Sequence, residues 1–95
     1  MMRVHLTPSA RESLRDISSY IEQFSPGAAG RTRTRIIGRL RQLEEFPESG
    51  RIVPEYEVPA VRELIEGSYR IWYRIQDDRI EVLAVLHGAR RILDG

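Results

Sequence analysis

The sequence predicts an α+β domain: an N-terminal strand, an antiparallel helix hairpin, and three more strands in a small, mainly antiparallel sheet packed on it, in the order β-α-α-β-β-β. Three observations carry this. Apolar residues recur at helical spacing from Ala10 to Phe24 and again from Ala29 to Leu43. Two strand-like runs, Tyr69–Ile75 and Arg79–Leu86, are separated only by Gln76, Asp77 and Asp78. Between the helical and the strand halves, residues 47–60 hold Pro47, Gly50, Pro54 and Pro59, which breaks both patterns.

Arg3, Val4, His5 and Leu6 alternate as a short strand does. Thr7-Pro8 then starts a helix, with threonine as N-cap and proline at the first helical position. Its inner stripe is Ala10, Leu14, Ile17, Ile21 and Phe24. Ser25-Pro26 repeats the start signal, and the second helix carries Ala29, Ile36, Leu40 and Leu43 inward, with Ile37 beside them. Pro47 stops it, because the residue before a proline is driven out of the α region. At 1.5 Å per residue this helix is roughly 30 Å long. So short a corner makes the two helices antiparallel. Arg31, Arg35 and Arg39 lie at i, i+4, i+8 on its outer face. They read first as a solvated face and otherwise as a phosphate-tracking stripe. Arg33 falls on the apolar stripe, where its stem would pack and its head snorkel out.

Residues 47–60 read as a connection with at most a scrap of edge strand. Val61–Glu66 is a strand, and Gly67-Ser68 suits a tight turn into the next. That turn sends Leu64 to the helix face, Ile65 to the opposite face, and Arg62 inward; a slip of one residue would reverse all three. A two-residue turn at Asp77-Asp78 pairs Arg74 with Glu81, Trp72 with Leu83 and Arg70 with Val85. One face then gathers Tyr69, Ile71, Tyr73 and Ile75 with Ile80, Val82, Ala84 and Leu86, with no charge among them. The other holds Arg70, Trp72 and Arg74 with Leu83 and Val85. Val82–Leu86 is apolar on both faces, as in a strand covered on both sides. The cover for the second face is either the chain's own Ile92 and Leu93 or a partner protein.

Ninety-five residues with a net charge of +1 make one domain, 1–95, with a modest core. All 15 basic residues are arginine; compositional drift is the favoured explanation, and the functional one is bidentate capture of phosphate or carboxylate, which lysine cannot copy. The low net charge speaks against a general nucleic-acid binder. Arg3 and His5 interrupt the start where a secretion signal would be apolar. No run approaches the roughly 18 apolar residues of a membrane span, so a cytoplasmic protein without membrane contact is expected. Without cysteine there is no disulfide framework and no thiolate metal site, and two histidines, His5 and His87, do not make one. No cofactor is expected. Phosphate-loop, metalloprotease and nucleophile-elbow patterns are absent. The one compact polar group is His87 with Arg90 and Arg91: a possible acid–base and charge-stabilising set, or simply a polar strand end.

The chain resembles the RelE/ParE superfamily of type II toxin–antitoxin toxins over nearly its whole length. The matching pieces are Thr7-Pro8-x-Ala10, Asp16-Ile17-x-x-Tyr20-Ile21, Ser25-Pro26-x-x-Ala29, Leu43 with Pro47 and Gly50-Arg51, Val61-Arg62-Glu63-Leu64, Tyr69-Arg70-Ile71-x-Tyr73-Arg74 and His87-Gly88-x-Arg90. Their joint order and spacing is the specific signal. The resemblance implies a helix hairpin on an antiparallel sheet and a cognate antitoxin whose C-terminal segment wraps the toxin, docking on Trp72, Leu83, Val85, Arg70 and Arg74. The ParE branch is favoured by Leu86-His87-Gly88-Ala89-Arg90 and Val61-Arg62-Glu63-Leu64. Its studied members block DNA gyrase by protein–protein contact, with no catalytic residues of their own; His87, Arg90 and Arg91 are then the candidates for target contact. The alternative is a RelE-like endonuclease that cuts mRNA on the ribosome, using His87, Arg90, Arg70 and Arg74. Against it, the late tyrosine of that branch has no counterpart before Gly95, and Ile65 stands where the nuclease branch carries an arginine.

Overall fold

The computed structural model describes residues 1–88. The elements are β1 (Arg3–Leu6), α1 (Pro8–Phe24), α2 (Ala28–Glu45), β2 (Arg51–Ile52), β3 (Val61–Glu66), β4 (Tyr69–Ile75) and β5 (Arg79–His87). The five strands form one sheet in the order β1-β5-β4-β3-β2. Every neighbouring pair is antiparallel except β1 with β5. The helices pack on one face of this sheet, as the sequence predicts.

Thr7 caps α1 as expected: its Oγ1 accepts the Ala10 N–H at 3.1 Å. The same hydroxyl reaches the Val82 carbonyl at 3.0 Å and the Leu83 carbonyl at 3.2 Å. The helix start is thereby tied to the middle of β5. The α1 stripe works over its first half: Ala10 is buried, and Leu14 and Ile17 pack on the core. Phe24 does not. It is 71% exposed and lies against exposed Tyr20, with ring centroids 5.0 Å apart.

The second helix starts two residues later than Ser25-Pro26 suggests. Ser25 closes α1 instead, and Gly27, at φ 90°, is the N-cap of α2. That left-handed φ favours glycine. The buried stripe is Ala29, Thr32, Ile36, Leu40 and Leu43. Thr32 takes the inner place that the spacing offered to Arg33, which is exposed, as is Ile37. The arginine face is solvated, but two of its three arginines are also paired. Arg35 and Arg39 both approach Glu66 at 3.5 Å, and Arg39 donates to the Ile65 carbonyl at 2.9 Å, binding α2 to β3.

The Gly67-Ser68 turn sets the register of β3: Glu66 pairs with Tyr69, Leu64 with Ile71 and Arg62 with Tyr73. Leu64 joins the helix-side core. Arg62 does point to that side, but at its edge, where its guanidinium donates to the carbonyls of Pro59 (3.1 Å) and Gly50 (3.0 Å). Tyr73 closes this corner. Its hydroxyl donates to the Pro47 carbonyl at 2.7 Å and accepts the Gly50 N–H at 2.9 Å.

The β4–β5 hairpin begins as predicted, with Ile75 opposite Ile80 and Arg74 opposite Glu81. It then departs from the prediction. Tyr73 pairs with Val82 but Trp72 pairs with Ala84, so Leu83 is an extra residue and the parity of β5 changes beyond it. Arg70 faces Leu86 rather than Val85, and Ile71 faces Val85. Val85, expected on the second face, is therefore in the helix-side core, while Leu86, expected in that core, packs with Trp72. Every residue from Val82 to Leu86 is apolar, so alternation carried no information about which faces inward.

Candidate functional site

The second sheet face is built from Val61, Glu63 and Ile65 on β3, Arg70, Trp72 and Arg74 on β4, and Leu83 and Leu86 on β5. Sequence reasoning left its cover to the C-terminal residues or to a partner. Among the described residues the cover is the 53–60 connection. Val53 is fully buried and packs with Val61 and Trp72, which is only 2% exposed. Tyr56 sets its ring edge-on to the indole, centroids 5.3 Å apart. Residues expected to present a docking surface are thus divided. Trp72 and Arg70 are covered, Val85 is on the other side of the sheet, Leu83 is half-buried, and Arg74 is exposed.

Beneath this cover lies a charged network. Glu63 is 1% exposed. Its Oε1 accepts from Arg70 Nε at 2.6 Å and from the Trp72 indole N–H at 2.9 Å; its Oε2 accepts from Arg51 Nε at 2.5 Å. Arg70 then donates from both terminal nitrogens to Glu55, at 2.9 and 3.0 Å, the bidentate geometry that arginine supplies and lysine does not. Its guanidinium also stands 5.1 Å from the Trp72 ring centroid. Burial alone would push the Glu63 carboxyl up. The hydrogen bonds from Arg70, Arg51 and Trp72 outweigh this and hold it below the usual carboxylate range. The Arg70 hydrogen bonds likewise lower Glu55, and Glu55 in turn raises Arg70, so its charge is permanent. Every buried charge here has a partner, as burial demands.

Sequence reading missed Glu63 and Glu55. Glu63 shares its face of β3 with apolar Val61 and Ile65, which was the available signal for it; nothing local marks Glu55, whose partner is 15 residues away.

The remaining concave surface lies between α1 and the far end of the hairpin. It is an open groove of about 750 Å³ lined by Asp16, Ile17, Tyr20, Tyr69, Leu86 and His87, among others. Tyr69 and His87 pair across β4 and β5 with rings edge-to-face at 5.6 Å. A second groove of about 560 Å³ shares both residues and extends to Arg51, Glu55 and Arg70. Of the expected target-contact residues, His87 is exposed at the strand end; Arg90 and Arg91, like Ile92 and Leu93, lie outside the described residues. Arg70 and Arg74 point to the same face of β4, but only Arg74 is exposed. Among the described residues there is no cluster of His, Cys, Asp or Glu able to hold a metal ion, and no helix long and apolar enough to cross a membrane.

The family model for the ParE toxin of type II toxin–antitoxin systems matches residues 4–92. A putative toxin of Sinorhizobium fredii, Y4kP, is 38% identical over 88 residues, covering 90% of this chain and 88% of that protein. Toxin RelE2 of Caulobacter vibrioides is 35% identical over 91 residues, covering 95% and 99%. Among solved structures, a chain of the chromosomal ParDE toxin–antitoxin system from P. aeruginosa superposes with a TM-score of 0.77, covering 92% of this chain and 96% of that one at 24% identity. At that identity it speaks to the fold, which it shares. The chain belongs to the ParE toxin family of type II toxin–antitoxin systems.

Proposed function

We propose that this toxin acts by binding its target, DNA gyrase, rather than by cutting RNA, and that a cognate antitoxin neutralises it. The observation that carries the first part is the state of Arg70. Arg70 is one of the arginines, with Arg74, that the nuclease reading would turn toward a scissile phosphate. Here it is 9% exposed and its charge is already matched by Glu55 and Glu63. Freeing its terminal nitrogens for RNA means displacing Glu55 from a bidentate pair, and pulling it off buried Glu63 as well would cost several kcal/mol (about 3–5 for a broken buried pair). The family model matched is also that of ParE.

For the antitoxin, the groove beside α1 is the better-supported seat than the partly covered sheet face. It combines exposed Tyr20 and half-buried Ile17, Tyr69 and Leu86 with one carboxylate, Asp16, a surface suited to an amphipathic segment. Tyr20→Glu should weaken antitoxin binding on the order of tenfold or more, measured by calorimetry with the fold checked by circular dichroism. Unchanged affinity would remove the groove from consideration.

The RelE-like reading is favoured by one observation, the relative named toxin RelE2. Inducing this chain alone separates the two. Trapped gyrase–DNA cleavage complexes, with translation continuing at first, are expected. Immediate translation arrest with mRNA cut in ribosomal A sites would replace the gyrase reading with the nuclease one.

A further inference from the structure

We propose that residues 53–60 are a latched strap over the second sheet face, opening as a unit while the rest of the fold stays intact, with the Arg70–Glu55 ion pair as the latch. The ends of the strap are anchored. Val53 is buried and its N–H donates to the Val61 carbonyl at 3.1 Å. At the other end the Ala60 carbonyl accepts from Ile75 N–H at 2.8 Å and the Pro59 carbonyl from Arg62 at 3.1 Å. The middle is held differently. Tyr56 and Glu57 donate their N–H groups back to Val53, and Val58 accepts from Val61, so these bonds stay within or next to the strap itself. The two described ties from its middle to β4 are the Glu55 carboxylate on Arg70 and the Tyr56 ring on Trp72. Tyr56 and Val58 are about half exposed, at 51% and 45%. Glu57 sits at φ 52°, a left-handed conformation that costs a residue other than glycine free energy. Such a segment has the marks of a low-stability unit: few buried apolar contacts and locally satisfied backbone.

The charge arrangement makes partial opening feasible. When Glu55 leaves, Arg70 keeps its Nε bond to Glu63 and Glu63 keeps Arg51, while the uncovered Trp72 indole N–H exchanges its Glu63 bond for water. No buried charge is stranded, and the terminal nitrogens of Arg70 turn to water. Lifting the strap uncovers the indole face of Trp72, now beside Arg70. The closed strap therefore determines whether this apolar, cationic face is available.

Trp72 is the chain's one tryptophan, so its indole N–H gives a single, unambiguous signal. Its hydrogen exchange is measured by NMR in the full chain at low, sub-denaturing urea, beside the amides of β4 and β5. In the wild type the indole should exchange faster than the core amides, with little dependence on urea, the signature of an opening that exposes little surface. Glu55→Gln should accelerate it on the order of tenfold, as loss of a charge-assisted bidentate pair implies, and keep the weak urea dependence. Tyr56→Ala, which leaves the ion pair in place, should accelerate it in the same local manner. An indole that exchanges together with the core amides and with their urea slope would overturn the strap. Unchanged indole exchange in Glu55→Gln would overturn the latch.

Discussion

The buried Glu63 carboxylate takes the Trp72 indole N–H at 2.9 Å across the β3–β4 ladder, where the two residues are direct partners. This contact orients the largest side chain of the second face and leaves Glu63 two further lone-pair directions for Arg70 and Arg51. The carboxylate is the hub on which one face of the sheet is organised. Glu63→Gln keeps the shape but removes the charge that two arginines require. It should lower unfolding free energy by about 2–4 kcal/mol, read from the urea midpoint. A loss below about 1 kcal/mol would mean the network contributes little more than an exposed ion pair.

Acid should act through the same carboxyls. Glu55 and Glu63 are both held below their ordinary value of 4.5, so in acid the unfolded chain takes up protons before the folded one does. The stability they contribute is complete above the ordinary value and drains away as pH falls through and below it. Urea midpoints between pH 7 and pH 3 should therefore be nearly flat at first and then fall. Glu55→Gln should show a shallower fall below pH 4.5. Identical pH profiles for the two proteins would contradict this assignment.

Tyr73 and Gly50 close the corner where β2 meets the sheet. Tyr73→Phe leaves the Gly50 N–H and the Pro47 carbonyl without the hydroxyl that now satisfies both, for a loss of about 1–3 kcal/mol. Gly50→Ala fails for a different reason: a methyl group there would overlap the Glu63 carbonyl and the Tyr73 hydroxyl. Overpacking of this kind costs about 1–3 kcal/mol. Thermal unfolding of both variants checks the pair; a neutral Gly50→Ala would show that the corner relaxes freely.

Thr7 serves two elements at once. Thr7→Val keeps the side-chain volume but removes the cap on Ala10 and the hydroxyl that reaches Val82 and Leu83 at the bulge. The expected loss is about 1–2 kcal/mol. Thr7→Ser, which keeps the hydroxyl, should recover most of it; no recovery would assign the effect to packing instead.

Local chemistry, legible in neighbouring residues, determined much of this protein. Thr7-Pro8 marks the start of α1, Gly67-Ser68 and Asp77-Asp78 set two hairpin turns, and the helical stripes named the residues that the helices give to the helix-side core. These signals act over three or four residues, within reach of a single turn or cap. Tertiary structure decided the rest. Phe24 has the right spacing for the core but stays 71% exposed, its ring against Tyr20. The uniformly apolar run Val82–Leu86 allowed either parity, and the extra residue Leu83 settled it by moving Val85 to one face and Leu86 to the other. The second face, open to a partner when read from β4 and β5 alone, is closed by Val53, Glu55 and Tyr56 through ion pairs spanning up to 15 residues. Long-range charge pairing leaves no periodic trace in a sequence: Glu55 reads as an ordinary surface residue until the fold brings Arg70 beside it.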